Sequence, residues 1–403
     1  MSRKALFYLG ALCLGVTMAA GCGKNVSTET EEVTGNAYVS ENGKMLTDIT
    51  YKIKGGEPAA EYETSDFHVT YTDGKEEKAI KVENVQAEDG KLTLLLENTA
   101  AGTMSGLSVD SKDNGLDAEN ISIYTKTADE FVKKEFVSSE GVKIEYWLYQ
   151  PKEGGPYPLM VWEHGGGENR ADAAEGANIW ANRGAVAWIE DGLETCVLSV
   201  QYPENYSFGI AEKPEQLQKM EQYNTAKYEL IQQMIADGTI DESRIYICGA
   251  SSGGGGAIRF MMQYPDLFAA ALVLSAKDVL APISEPYGLS YQFDESKLTI
   301  SQEAYEACYR QSAQMLEGID LNDVAIWFVQ ADKDPVCTSY TSKIMYQILK
   351  EKGAENNRIT MWTDEDLENM GVEPLAAHVA YNKALENQEM ITWIYGQQRQ
   401  AEK

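Results

Sequence analysis

Residues 249–253, Gly-Ala-Ser-Ser-Gly, leave this chain few folds to choose from. They follow a run with strand character, Arg244-Ile245-Tyr246-Ile247-Cys248. They open a run with helix character, Ala257-Ile258-Arg259-Phe260-Met261-Met262. A serine in so sharp a strand-to-helix turn has a strained backbone and an exposed hydroxyl. Side chains two residues to either side would collide, and Gly249 and Gly253 stand there. Ser251 is the candidate nucleophile. A five-residue pattern also arises by chance, so its meaning depends on what the rest of the chain supplies.

A second strand-like run, Pro158–Glu163, ends in His164-Gly165-Gly166-Gly167. Backbone N–H groups of such a loop can approach a substrate closely and face a developing oxyanion. Gly165 and Gly166 are candidate donors, together with the N–H of Ser252, the residue after the nucleophile. The two features together resemble the α/β-hydrolase pattern, in which nucleophile, acid and base follow in the order Ser, acid, His. The chain has three histidines, His68, His164 and His378. Only His378 lies after Ser251, which makes it the candidate base. A serine hydroxyl is a poor nucleophile until an imidazole takes its proton. His164 is expected to brace the glycine loop, and His68 to sit on a strand.

The acid should lie between Ser251 and His378, just past a strand. Val324–Gln330 is a buried-strand run followed by Ala331-Asp332-Lys333-Asp334-Pro335-Val336. Asp334 is the first choice and Asp332 the second, with Asp278 a distant third. Any of them could be an ordinary turn former. The acid's part would be to hold the His378 tautomer and stabilise its charged form.

From about Phe131 onward strands and helices alternate, as a doubly wound α/β sheet requires. Pro214–Ala236 is a long amphipathic helix with Leu217, Met220, Tyr228, Ile231 and Ile235 near one face. The stretch from Phe131 to Arg399 resembles the prolyl-oligopeptidase-like and polyester-depolymerase-like secreted esterases. It looks most like bacterial esterases that carry an N-terminal immunoglobulin-like domain. The likeness rests on Tyr157-Pro158-Leu159 into His164-Gly165-Gly166-Gly167, Asn182–Val186, Ile240–Tyr246, Tyr264–Ala270, and Asn387-Gln388-Glu389 before Trp393. It implies Ser251, Asp334 and His378 as nucleophile, acid and base. The elbow departs from the family's usual form by placing small residues, Ser252 to Gly256, after the nucleophile.

Before the α/β part, the turn signals Asn42-Gly43, Asp73-Gly74 and Asp89-Gly90 separate alternating runs. About seven short strands suggest an immunoglobulin-like sandwich, acting as a spacer or binding carbohydrate. The expected organisation is a signal peptide at 1–21, a disordered tether at 22–36, the β domain at 37–128 and the α/β-hydrolase domain at 129–403. Arg3-Lys4, a short apolar run and Ala19-Ala20-Gly21-Cys22 resemble a bacterial lipobox, with lipidation on Cys22 and an extracytoplasmic catalytic domain. An ordinary cleaved secretory signal is the alternative.

The net charge is −29, which disfavours nucleic acid and anionic lipid and mildly disfavours strongly anionic substrates. The six cysteines show no zinc spacing, so neither metal nor cofactor is expected. Aromatic residues at Tyr206, Phe208, Tyr287, Tyr291 and Phe293 fall in two loops expected to shape a pocket. The expected activity is cleavage of a small-molecule or polysaccharide-linked ester. A prolyl-oligopeptidase-type serine peptidase is the rival, although no long propeller segment is evident. A glycan-binding lipoprotein on an inactive scaffold is the alternative from another class.

Overall fold

The computed structural model describes residues 28–56, 61–112, 115–190, 192–204, 214–277 and 299–399. The signal and Cys22, the third-choice Asp278 and the loop aromatics Tyr206, Phe208, Tyr287, Tyr291 and Phe293 lie outside these residues.

The N-terminal unit is all-β. Its strands are β1 (Thr30–Ser40), β2 (Gly43–Ile53), β3 (His68–Asp73), β4 (Glu76–Ile80), β5 (Val82–Glu88), β6 (Lys91–Ala100), β7 (Met104–Asp110) and β8 (Ile123–Thr125). They form two sheets, ordered β5-β6-β2-β1-β8 and β4-β3-β7. The three predicted turn signals fall at the β1–β2, β3–β4 and β5–β6 connections. At the last, Asp89 and Gly90 both have positive φ, 51° and 76°, as a two-residue hairpin turn that matches strand twist requires. Ile49, Tyr51, Val69, Leu92, Leu94 and Leu107 meet in a separate core.

The expected tether at 22–36 is corrected from Thr30 onward. Residues 30–36 form the first part of β1 and pair with β2 from Ile53 to Asp48. Their acidic side chains point to solvent, where Glu31 pairs with Lys52, while Val33 packs on the core. The polar composition concealed a strand whose burial comes from its partner.

The second unit is an eight-stranded sheet. Its strands are β9 (Val132–Val137), β10 (Lys143–Tyr149), β11 (Tyr157–Glu163), β12 (Cys196–Val200), β13 (Ile240–Ala250), β14 (Ala270–Leu274), β15 (Ala325–Ala331) and β16 (Arg358–Trp362). Their order is β9-β10-β12-β11-β13-β14-β15-β16. β10 runs antiparallel to both its neighbours, and the other pairs are parallel. Parallel strands covered on both faces read as continuous apolar runs, which is why β11, β12, β14 and β15 were legible.

Helices cover both faces. They are α1 (Ala177–Trp180), α2 (Ala187–Glu190), α3 (Pro214–Ala236), α4 (Ser252–Gln263), α5 (Gln302–Met315), α6 (Tyr340–Glu351), α7 (Asp364–Asn369), α8 (Tyr381–Ala384) and α9 (Gln388–Tyr395). α3, α4 and α6 pack with Leu159, Val161, Ile245 and Ile247 on one face. α2 and α9 pack with Met160, Trp162, Tyr246 and Cys248 on the other. Val39 of the N-terminal unit joins this second core.

From β11 the chain goes to β12 on one side, then crosses back to β13 on the other. Such a switch point opens a crevice at the carboxyl ends of the strands. The glycine loop leaves β11 there, and the 249–253 turn ends β13 there.

Candidate active site

Ser251 occupies the turn between β13 and α4 with φ 57° and ψ −122°, a conformation that costs a non-glycine residue on the order of 1–3 kcal/mol. The flanking glycines are a steric necessity. A Cβ on Gly253 would lie 2.0 Å from the Glu163 carbonyl oxygen, and one on Gly249 2.2 Å from the Gly253 carbonyl oxygen. The strain is held by backbone bonds. Ser251 N–H donates to Leu274 O at 3.0 Å, and Ser251 O accepts from Lys277 N at 3.0 Å.

A serine just before a helix is ordinarily a cap with extended backbone whose oxygen accepts a first-turn N–H. Ser251 has neither feature, so its hydroxyl is not engaged in capping. Its Oγ lies 4.0 Å from Cys337 Sγ. Among the described residues it makes no hydrogen bond to His378.

Asp334 and His378 are brought together. His378 Nδ1 lies 2.9 Å from Asp334 Oδ2 and 3.1 Å from Oδ1. Asp334 is buried at 1% exposure. Its Oδ1 also accepts from Val336 N at 2.8 Å and Cys337 N at 2.9 Å, and its Oδ2 from Gln330 Nε2 at 3.3 Å. A carboxylate only accepts, so Nδ1 carries the proton and Nε2 keeps its lone pair. Asp332 is placed elsewhere: half-exposed, it pairs with Lys343 on α6. His378 lies on a 3-10 segment, Pro374–Ala380, which follows α7 and leads into α8.

The glycine loop is braced from behind. Buried His164 is held in one tautomer, because Tyr202 N–H donates to Nε2 at 3.2 Å and Nδ1 therefore donates to Gly165 O at 2.7 Å. Burial lowers its pKa, which keeps it neutral. Asn169 Nδ2 bonds Gly166 O, and Gln201 Nε2 bonds Glu168 O at 2.9 Å.

The Glu168 carboxyl is enclosed. Among the described residues its Oε2 has no partner, and its Oε1 accepts from Asn182 Nδ2 at 2.7 Å. Burial pushes this carboxyl up to about 8, against hydrogen bonds from the Gly165 backbone and Asn182. The Glu168 carboxyl thus lies against the Gly165 end of the glycine loop. Gly166 N–H has no acceptor among the described residues. Ser252 begins α4, so its amide stands at the N-terminal end of that helix.

A solved structure described as a thermostable esterase is 24% identical, with a TM-score of 0.65, over 92% of this chain and 100% of its own. The chain has an α/β-hydrolase-like fold. Residues 226–367 match the prolyl oligopeptidase family. That stretch holds Ser251 and Asp334 and ends before His378. No curated protein matches the chain in sequence. Two more remote structures are a Mycobacterium tuberculosis puromycin-hydrolyzing peptidase and a Pyrococcus horikoshii acylaminoacyl peptidase. The first is 14% identical with a TM-score of 0.44, over 88% of this chain and 60% of that one. The second is 12% identical with a TM-score of 0.44, over 94% and 57%.

Three features of this site escaped sequence reasoning. Cys337 links the two halves of the site: its Sγ lies 4.0 Å from Ser251 Oγ and its N–H donates to Asp334 Oδ1 at 2.9 Å. Its place three residues after Asp334 was the available signal. Glu168 gave a weaker one, as an acid directly after three glycines. A buried ion pair between Lys227 of α3 and Glu163 at the end of β11 gave none, because 64 residues separate its members. Tyr202 completes it, donating to Glu163 Oε2 at 2.6 Å and accepting from Lys227 Nζ at 2.7 Å.

Proposed function

We propose that this protein is a serine hydrolase that cleaves carboxylic esters through an acyl-enzyme on Ser251. The observation that carries the reading is a strained, uncapped serine at the switch-point crevice, in a chain that also builds a buried Asp334–His378 pair. His378 Nε2, left basic by the Nδ1 bond to Asp334, takes the Ser251 proton as Oγ attacks the carbonyl carbon. The Gly165, Gly166 and Ser252 amides receive the negative charge on the carbonyl oxygen. His378 then protonates the departing alcohol, and water releases the acid by the same steps reversed. The missing Ser251–His378 bond is compatible with this chemistry, since such bonds are often long before substrate binds.

Ester over amide is supported by the likeness to the thermostable esterase along the whole of that chain. The match to the prolyl oligopeptidase family supports a peptidase as the second reading. In the same reading, the N-terminal unit is immunoglobulin-like, Cys22 carries a lipid anchor, and the hydrolase works outside the cytoplasmic membrane on small or polysaccharide-linked esters.

Ser251→Ala is expected to lower kcat on p-nitrophenyl acetate by at least about 10⁴-fold; retained turnover would remove Ser251 as nucleophile. Acyl-prolyl amides cleaved faster than any ester of a matched acyl group would favour the peptidase.

A further inference from the structure

The turn between β1 and β2 touches the hydrolase unit at two places, and each leads to a different part of the site. On one side, Glu41 Oε2 accepts from Lys383 Nζ at 2.9 Å. The Glu41 carbonyl lies 3.5 Å from Asn382 Nδ2, which also donates to Val379 O at 3.2 Å. Val379 follows His378 directly, and Asn382 is buried at 3% exposure. One side-chain amide therefore links the hairpin tip to the backbone that presents His378.

On the other side, Gly43 has φ +94°, and its Cα hydrogen faces the Ala181 carbonyl, which a Cβ would meet at 3.3 Å. Lys44 Nζ sits 5.7 Å over the Trp180 ring. Gly102, just beyond β6, approaches the same ring so closely that a Cβ would lie 2.8 Å away. The next residue after Ala181 is Asn182, which holds the Glu168 carboxyl of the glycine loop at 2.7 Å.

We propose that the β1–β2 hairpin tip is a positioning element of the active site, holding the His378 segment through Asn382 and Lys383 and the glycine loop through Trp180–Asn182. Glu41 and Asn382 act as positioning residues. The N-terminal unit is then a working part of the hydrolase and not a spacer. The proposal rests on the serine hydrolase reading.

Three full-length variants test it: Asn382→Ala, Glu41→Lys, and Glu41→Lys combined with Lys383→Glu. Each is assayed for kcat and KM on p-nitrophenyl acetate, with active centres counted by fluorophosphonate titration so that rates refer to folded sites. A displaced base costs turnover more than binding, and a shift near 1 Å can cost about 100-fold. Asn382→Ala and Glu41→Lys are expected to lower kcat per titrated site about tenfold with KM within about twofold. The charge-swapped double variant is expected to recover most of the loss. Unchanged kcat per titrated site in both single variants, or no recovery in the double variant, overturns the proposal alone. Wild-type protein that neither cleaves esters nor takes up the fluorophosphonate overturns the hydrolase reading and this proposal with it.

Discussion

Two carboxylates within three residues, Asp332 and Asp334, differ in what surrounds them. Asp334 is buried under an imidazole and three N–H donors, while Asp332 faces solvent and a lysine. Asp334→Ala is expected to cut kcat by about 10⁴-fold, and Asp332→Ala by less than about threefold, since an exposed ion pair contributes little. Steady-state kinetics of the two variants decide it, and a larger loss at Asp332 reverses the assignment. Glu168 offers a test by pH. Its folded pKa, about 8, lies above the ordinary 4.5, so the neutral carboxyl is stable below pH 4.5 and stability falls as pH rises towards 8. Glutamine keeps the acceptor for Asn182 and cannot ionise. Glu168→Gln is therefore expected to be more stable than wild type by about 3 kcal/mol at pH 7, with little gap at pH 4.5. Urea unfolding at pH 4.5, 7 and 8.5 measures this, and a gap that narrows with rising pH contradicts it.

Among elements, α3 and β11 are joined where no single residue announces it. α3 was legible end to end, because Met220, Tyr228, Ile231 and Ile235 recur on one face of a helix and all pack on the sheet. Lys227 on the same helix was not, since a lysine in an amphipathic helix reads as a solvated face. The structure buries it at the foot of the glycine loop, 4.2 Å from the Phe260 ring centroid as well as against Glu163. Lys227→Met leaves the Glu163 charge buried without its partner and is expected to cost about 3–5 kcal/mol. Adding Glu163→Gln should recover much of that loss, because breaking a buried pair is worse than removing it. Thermal unfolding of both variants checks the order, and a double variant less stable than the single one contradicts it. Strand β1 failed to show itself for the complementary reason. Its Thr-Glu-Glu-Val-Thr start has the composition of a linker, and its order comes from β2.

At the scale of the molecule, sequence carried the α/β half of the fold further than the β half. Buried parallel strands and a glycine-bound turn write themselves in residue type, whereas the seating of one unit on another depends on Gly43, Gly102 and Trp180 meeting across the fold. Charge is the other property of the whole chain, and in the proposed esterase it bears on which substrates reach Ser251. A net charge of −29 is expected to repel anions approaching the protein over roughly a Debye length, about 30 Å at 0.01 M salt and about 8 Å at 0.15 M. An ester carrying a carboxylate on its acyl arm should therefore have a lower kcat/KM than its neutral methyl-capped counterpart at low salt. Raising the salt should close part of that gap by speeding the anionic ester while leaving the neutral one nearly unchanged. The measurement is kcat/KM for the matched pair at 0.01 M and 0.15 M sodium chloride. An anionic ester that slows as salt rises would mean that a local cationic site at the crevice outweighs the field of the whole protein.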